Sequence, residues 1–211
     1  PVHGVTYINR IINDSLKNKN NYILLDTNFS QFVNEISKKS FKKAFKNILI
    51  MFKAWKAFFH FNPKCVYSIV SATKFGIIRD FAILIPVLLF NKRLFLHLHG
   101  FTYYKIYQSS VLYKFFFDLL SKNAVIIVLC NYQKGQTLTV MNKDSIVLNN
   151  CINRKVVFKN KIKNKILQIC YVSNISEEKG TFDLIKAVQN RVDVKLIIAG
   201  DFLSEKEKFL E

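Results

Sequence analysis

No run in the sequence reaches the ~20 consecutive apolar residues a helix needs to cross a bilayer. The closest, Phe81 to Phe90, "FAILIPVLLF", is closed by Asn91, Lys92 and Arg93. The first residues do not resemble a signal peptide. Cysteine is sparse and scattered: Cys65, Cys130, Cys151 and Cys170 form no CxxC pair and no Cys/His cluster, which excludes a sequence-local zinc site or a short-range disulfide frame. A reducing cytoplasm is the expected home. Helix-turn-helix, zinc-finger and RNA-recognition signatures are missing, as is any repeat of solenoid length.

Acidic residues are the other scarcity, with 14 Asp/Glu against 32 Lys/Arg and a net charge of +18. Residues 1–165 hold 26 Lys/Arg against 6 Asp/Glu, a net of +20, whereas residues 166–211 hold 6 against 8, a net of −2. A polyanionic partner therefore belongs to the first part of the chain, and nucleic acid and an anionic membrane surface are the two candidates. The abundance of Lys, Asn, Ile and Phe also suggests an AT-rich coding genome, which accounts for part of the charge. With 211 residues, half of them hydrophobic, the chain is long enough for one packed domain and the start of another.

Short, continuous apolar runs alternate with longer helical stretches. The runs are Tyr22 to Asp26, Cys65 to Val70, Leu94 to His99, Val125 to Leu129 and Ser145 to Asn149. Continuous apolarity is what a parallel strand buried on both faces requires. Helices are expected at Ser40 to Phe61, Lys74 to Phe90, Tyr104 to Ser121 and Tyr132 to Met141, giving a β-α-β-α order and a doubly wound, Rossmann-like sheet. The Lys/Asn-rich stretch 153–165 reads as a linker. After it the pattern restarts with "ILQICYVS", a helix from about Lys179 to Gln189, and "VKLIIAG". The expected division is a domain over 1–152, a linker over 153–165 and the start of a second domain over 166–211.

The restart carries the most informative motif, "YVSNISEEKGTFDLIKAV" (Tyr171 to Val188). A strand, a loop and then Lys-Gly opening a helix offer a diphosphate free backbone N–H groups, the positive end of a helix dipole and the Lys179 ammonium. The same spacing also fits an ordinary β-α loop with a solvated lysine. "LHLHG" (Leu96 to Gly100) places His97 and His99 on one face of a strand and Leu96 and Leu98 on the other. "PVHG" puts Gly4 before a helix starting near Val5, either to let the backbone approach a phosphate or acceptor or simply to make a tight turn. In Ser40 to Phe61, Phe41, Phe45, Ile48, Phe52, Trp55 and Phe59 form one helical stripe. Lys39, Lys42, Lys46, Lys53 and Lys56 form a neighbouring one. Aromatic residues beside a lysine row suit an anionic lipid surface, although a core-packed helix with a solvated basic face has the same pattern.

Taken in order, these elements resemble the retaining family-four glycosyltransferases. "NISEEKG" is similar to the family's "GRLxxEKG", "IIAGD" to its "L.IAGDG" strand, "IVLNNCIN" (Ile146 to Asn153) to "VIPNGID", "LHLHG" to its strand-end histidine motif, and "PVHGVTYINRII" to the loop after its first strand. The resemblance covers nearly the whole chain. It implies a GT-B fold of two Rossmann-like domains with parallel sheets, here lacking the first strand and most of the C-terminal domain.

The activity it implies is hexosyl transfer (EC 2.4) from a nucleotide-diphosphate sugar, with retention and with no metal or other cofactor required. His99 would contact the donor sugar, and Gly4, Gly100, Asn174, Lys179 and Gly180 would lie along the donor and its phosphates. The expected acceptor is a lipid-linked saccharide of a bacterial surface-polysaccharide pathway. Lys42, Lys46, Lys53 and Lys56 would hold the protein on the inner face of the cell membrane, with nucleic acid not a partner.

Several positions depart from the pattern. Asn174 stands where the family carries a phosphate-gripping arginine, and Asn149 and Cys151 replace the proline and glycine of "PNG". The acidic E-x7-E region would lie past Glu211, so the fragment alone is expected to be inactive. A membrane-docked scaffold without catalysis and a basic nucleic-acid-binding module are the alternative readings.

Overall fold

The computed structural model describes residues 4–17, 21–25, 27, 41–151 and 166–202. The chain divides into two compact units, the first ending at Ile152 and the second containing everything from Asn153 onward. The expected linker, 153–165, lies outside the described residues.

The first unit opens with α1 (Gly4–Leu16) and α2 (Phe41–Phe61) and continues as β1 (Cys65–Ile69), α3 (Lys74–Leu89), β2 (Arg93–Leu98), α4 (Thr102–Ser109), α5 (Val111–Ser121), β3 (Ala124–Val128), α6 (Asn131–Met141) and β4 (Ile146–Val147). All neighbouring strands pair in parallel, in the order β1-β2-β3-β4. The order never reverses among the described strands, so they form one arm of a wound sheet. Right-handed crossovers between such strands place every connecting helix on the same face. The core agrees: Val70, Leu94, Leu96, Leu98, Ile126 and Val128 pack with Ile77, Leu84, Tyr103, Tyr107, Phe117 and Met141 from the helices. The residues between them, Phe95, Val125 and Ile127, are only half-buried on the opposite face.

Local chemistry sets the helix limits. Thr73 caps α3 by accepting the Gly76 N–H at 3.1 Å, and asparagines in the left-handed region, Asn62, Asn91 and Asn142, follow the ends of α2, α3 and α6, a position that favours Gly or Asn. Asp80, 5% exposed, accepts the Ser71 N–H at 2.7 Å and two Arg79 hydrogen bonds, fastening the loop after β1 to α3.

Two expectations are corrected. Residues 21–25 form no strand; Ile23, Leu24 and Leu25 instead line a pocket with Ile50, Lys53, Ala54 and Ala57 of α2, and Tyr22 donates to Asn13 of α1 at 3.0 Å. A short apolar run can coat a helix as readily as it can enter a sheet. The single helix expected over Tyr104 to Ser121 is two, because Ser110 is extended (φ −169°, ψ 144°) and its hydroxyl caps α5 by accepting the Leu112 N–H.

The second unit runs β5 (Leu167–Val172), a 3-10 turn (Glu177–Lys179), α7 (Thr181–Val188) and β6 (Val194–Ala199). The strands pair in parallel as a separate sheet, so the β-α-β restart forms as the sequence implies. Gly200 is fixed by packing: a Cβ there would lie 1.7 Å from the Ser173 carbonyl oxygen.

Pro86 sits inside α3. Lacking an N–H, it cannot donate to the carbonyl four residues earlier, that of Ala82. The Trp55 indole N–H donates to that oxygen at 3.0 Å, so α2 replaces the hydrogen bond that proline removes and docks on α3 in doing so. Trp55→Phe leaves a carbonyl short of its donor and is expected to cost about 1–3 kcal/mol. In a Pro86→Ala background, whose restored amide can serve Ala82, the same change should cost markedly less. Denaturant unfolding of the four proteins of this cycle checks the coupling; equal costs in the two backgrounds would refute it.

Candidate functional site

Period-two alternation in β2 decides which side chains meet. In the parallel register Ile69 lies beside His97 and His97 beside Ile127, while Tyr67 lies beside Phe95. Tyr67, His97 and His99 therefore share the sheet face opposite the leucine core. The two imidazoles lie 4.1 Å apart, centroid to centroid. The Tyr67 hydroxyl is 2.6 Å from His97 Nδ1. His97 is 1% exposed and His99 half-buried, and the Nε2 atoms of both are buried without a hydrogen-bond partner.

Burial disfavours charge here. It lowers the His97 pKa to about 4, with the neighbouring His99 adding to the effect, and it lowers that of His99 as well. It also raises the Tyr67 phenol to about 12. At neutral pH all three groups are uncharged. They can exchange hydrogen bonds with a hydroxyl but offer no charge to a phosphate.

The loop after His99 is held from α6. Gln133, 1% exposed, accepts the Leu129 N–H through Oε1 and donates to the Gly100 carbonyl through Nε2, each at 2.7 Å. It thereby ties together the carboxyl ends of β2 and β3. Tyr104 donates to the Gln133 carbonyl at 3.0 Å, the Tyr103 hydroxyl donates to the Val70 carbonyl, and Asn149 donates to the Leu129 carbonyl at 2.8 Å. Gly100 has φ +103°. Tyr67 and Gln133 were not legible as site residues, because the first depends on register and the second on a helix-to-loop contact 33 positions apart in sequence.

The second unit supplies a different kind of site. At the carboxyl end of β5, Asn174 and Lys179 are exposed. Gly180, at φ +70°, precedes α7 without any side-chain cap. A side chain at that φ is strained and glycine is not, so the chain turns directly into the helix at a residue that brings no capping side chain of its own. The loop is braced from below: Tyr171 donates to the Lys179 carbonyl at 2.7 Å, and the fully buried Thr181 lies 3.4 Å from both the Tyr171 hydroxyl and the Ser176 N–H. A helix N-terminus with its dipole and an exposed ammonium together can hold an anion.

Of the sequence-derived candidates, His99 and Gly100 stand together at the end of β2, and Asn174, Lys179 and Gly180 stand together before α7. Gly4 is the first residue of α1, and the side chains around it, through Tyr7, lie outside the described ones. His97 is bonded to Tyr67 yet retains a nitrogen without a hydrogen-bond partner among the described residues.

On α2, Lys46, Lys53 and Lys56 are exposed, while the Lys42 side chain lies outside the described ones. Phe45, Ile48, Phe52 and Phe59 are also exposed, between 49% and 63%. Trp55 leaves the stripe, turned inward by its bond to Ala82. No described helix is long and apolar enough to cross a membrane. Among the described residues no group of three or more His, Cys, Asp or Glu could hold a metal ion. No family model and no curated protein matches the chain.

His97 titration gives a measurable consequence. Its folded pKa lies below the ordinary 6.5, so between those two values the unfolded chain binds more protons and stability falls as pH falls. The group has no such effect above about pH 6.5. From pH 7 to pH 5 the parent should lose about 2 kcal/mol more than His97→Gln does, as read by urea unfolding at both pH values. Parallel losses in the two proteins would show that His97 titrates normally.

Proposed function

We propose that the chain is part of a retaining glycosyltransferase of the GT-B type that moves a hexosyl unit from a nucleotide-diphosphate sugar to a lipid-linked saccharide. The observation that carries this reading is the loop after β5, where the exposed Lys179 and the left-handed Gly180 directly precede the N-terminus of α7. Departure of a nucleoside diphosphate concentrates negative charge on the leaving oxygens. Donors and a cation already fixed in place stabilise that charge without reorganising. Asn174 contributes a neutral donor where an arginine would add charge, so Lys179 carries more of the electrostatic load. The uncharged imidazole pair suits the other part of the donor, the sugar hydroxyls. Gly4 would line the diphosphate or acceptor side.

Exposed aromatic and aliphatic side chains beside Lys46, Lys53 and Lys56 on α2 support a peripheral position on the inner face of the cell membrane, where a lipid-linked acceptor is found. A double-stranded nucleic acid, read through its phosphates, would use the lysines but not the phenylalanines between them.

The test is transfer by the whole protein from a panel of nucleotide-diphosphate sugars to lipid-linked saccharides. Lys179→Ala should lower kcat/KM by about 10²–10³-fold, the size of effect seen when one preorganised charge-stabilising group is lost. Full activity in Lys179→Ala, or no transfer with any donor, would remove the reading.

Changing Lys42, Lys46, Lys53 and Lys56 together to Gln should weaken partition onto vesicles containing anionic lipid by about a hundredfold or more at moderate salt, at ~1 kcal/mol per charge. Unfolding free energy should barely change, because solvated charges contribute little to folding. Undiminished vesicle binding, or a larger loss on oligonucleotides than on vesicles, would assign the lysines another role.

A further inference from the structure

We propose that Tyr67 and His97 are positioning residues for His99, forming a phenol–imidazole–imidazole chain that holds His99 in one orientation as a hydrogen-bonding group for an uncharged sugar hydroxyl. This rests on the donor-sugar reading of His99 and adds to it the two residues that fix its geometry.

The first link is the 2.6 Å contact between the Tyr67 hydroxyl and His97 Nδ1. In the proposed chain the phenol donates, which leaves the His97 proton on Nε2. That nitrogen is buried with no hydrogen-bond partner among the described residues, as is Nε2 of His99. An unpaired buried donor is costly, and its persistence beside a second unsatisfied imidazole is the feature that the packing of a core does not require.

His97 is flanked in register by Ile69 and Ile127, so neither strand neighbour offers it a charge or a competing hydrogen bond. Its ring meets His99 at 4.1 Å with the planes tilted by 50°, and this contact limits how His99 can rotate. The backbone beyond His99 is fixed independently, since Gln133 holds the Gly100 carbonyl. Ring and backbone of the histidine loop are thus held by separate elements. Geometry held by surrounding groups is what distinguishes a working contact from a loosely placed one.

The test uses the full chain with ¹⁵N-labelled imidazoles, its four histidines assigned by single replacement. In the parent, His97 should show the Nε2–H form. Tyr67→Phe, which keeps the ring and removes the hydroxyl, should shift the His99 resonances and move its titration midpoint. His97→Gln, which can still accept from the phenol, should preserve more of the parent His99 midpoint than His97→Ala does.

A Tyr67→Phe protein that is merely less stable, with His99 shifts and midpoint unchanged, overturns the proposal. So does an Nδ1–H form of His97 in the parent. Adding a nucleotide-diphosphate sugar to the whole protein separates the two readings: donor-induced shifts at His99 that weaken in Tyr67→Phe support both. A response to Tyr67→Phe without any response to donor keeps the positioning chain and removes the donor-sugar role of His99.

Discussion

Alternation along β2 is the constraint on which the first unit depends. Leu94, Leu96 and Leu98 enter the core formed with the helices, and because successive side chains point to opposite faces, His97 is carried to the other side, with His99 just beyond the strand. A slip of one residue would put imidazoles among the core leucines and leucines where the histidines meet Tyr67. The leucines therefore specify the register, and the register brings Tyr67 of β1 within hydrogen-bond distance of His97. The stability of the sheet and the composition of the site are two results of the same pairing.

Around this sheet, groups that one element leaves unsatisfied are served by another. Pro86 deprives the Ala82 carbonyl of its helical donor, and Trp55 supplies one from α2. The loops after β2 and β3 have a free carbonyl at Gly100 and a free amide at Leu129, and one buried glutamine meets both. Ser71, leaving β1, finds the carboxylate of Asp80. Each contact satisfies a polar group that burial would otherwise penalise, and those of Gln133 and Asp80 also fix loops at the carboxyl ends of strands. Such a set of braces gives residues at the strand ends defined positions.

The β-α-β-α order, most element limits and the separation into two parallel sheets were legible in the sequence, because they depend on continuous apolar runs and on local caps such as Thr73. The run at Tyr22 misled because four apolar residues do not reveal whether their partner is a strand or a helix, and Leu24 is 63% exposed. The break at Ser110 was visible only as a serine pair before an apolar run, a capping signal weaker than the helical periodicity around it. For the candidate sites, the grouping of His99 with Gly100 and of Asn174 with Lys179 and Gly180 was legible because those residues lie close together in sequence. Tyr67 and Gln133 were not, since each acts across about thirty residues. The inward turn of Trp55 also depended on a distant cause, the proline at position 86.

The two candidate sites differ in a way that bears on what each could bind. The histidine cluster lies in surroundings that suppress charge: burial lowers both imidazoles and raises the phenol, and the strand neighbours of His97 are isoleucines. A phosphate placed there would be desolvated without gaining a cation, which is unfavourable. The loop before α7 has the opposite character, with an exposed ammonium beside a helix N-terminus whose cap residue is a glycine. A neutral hydroxyl placed there would gain little from the dipole that favours an anion. The lysines of α2 are a third environment: Lys46, Lys53 and Lys56 are exposed beside Phe45, Phe52 and Phe59. Basic and aromatic side chains side by side on a helix suit an anionic surface with an apolar interior better than a small neutral ligand.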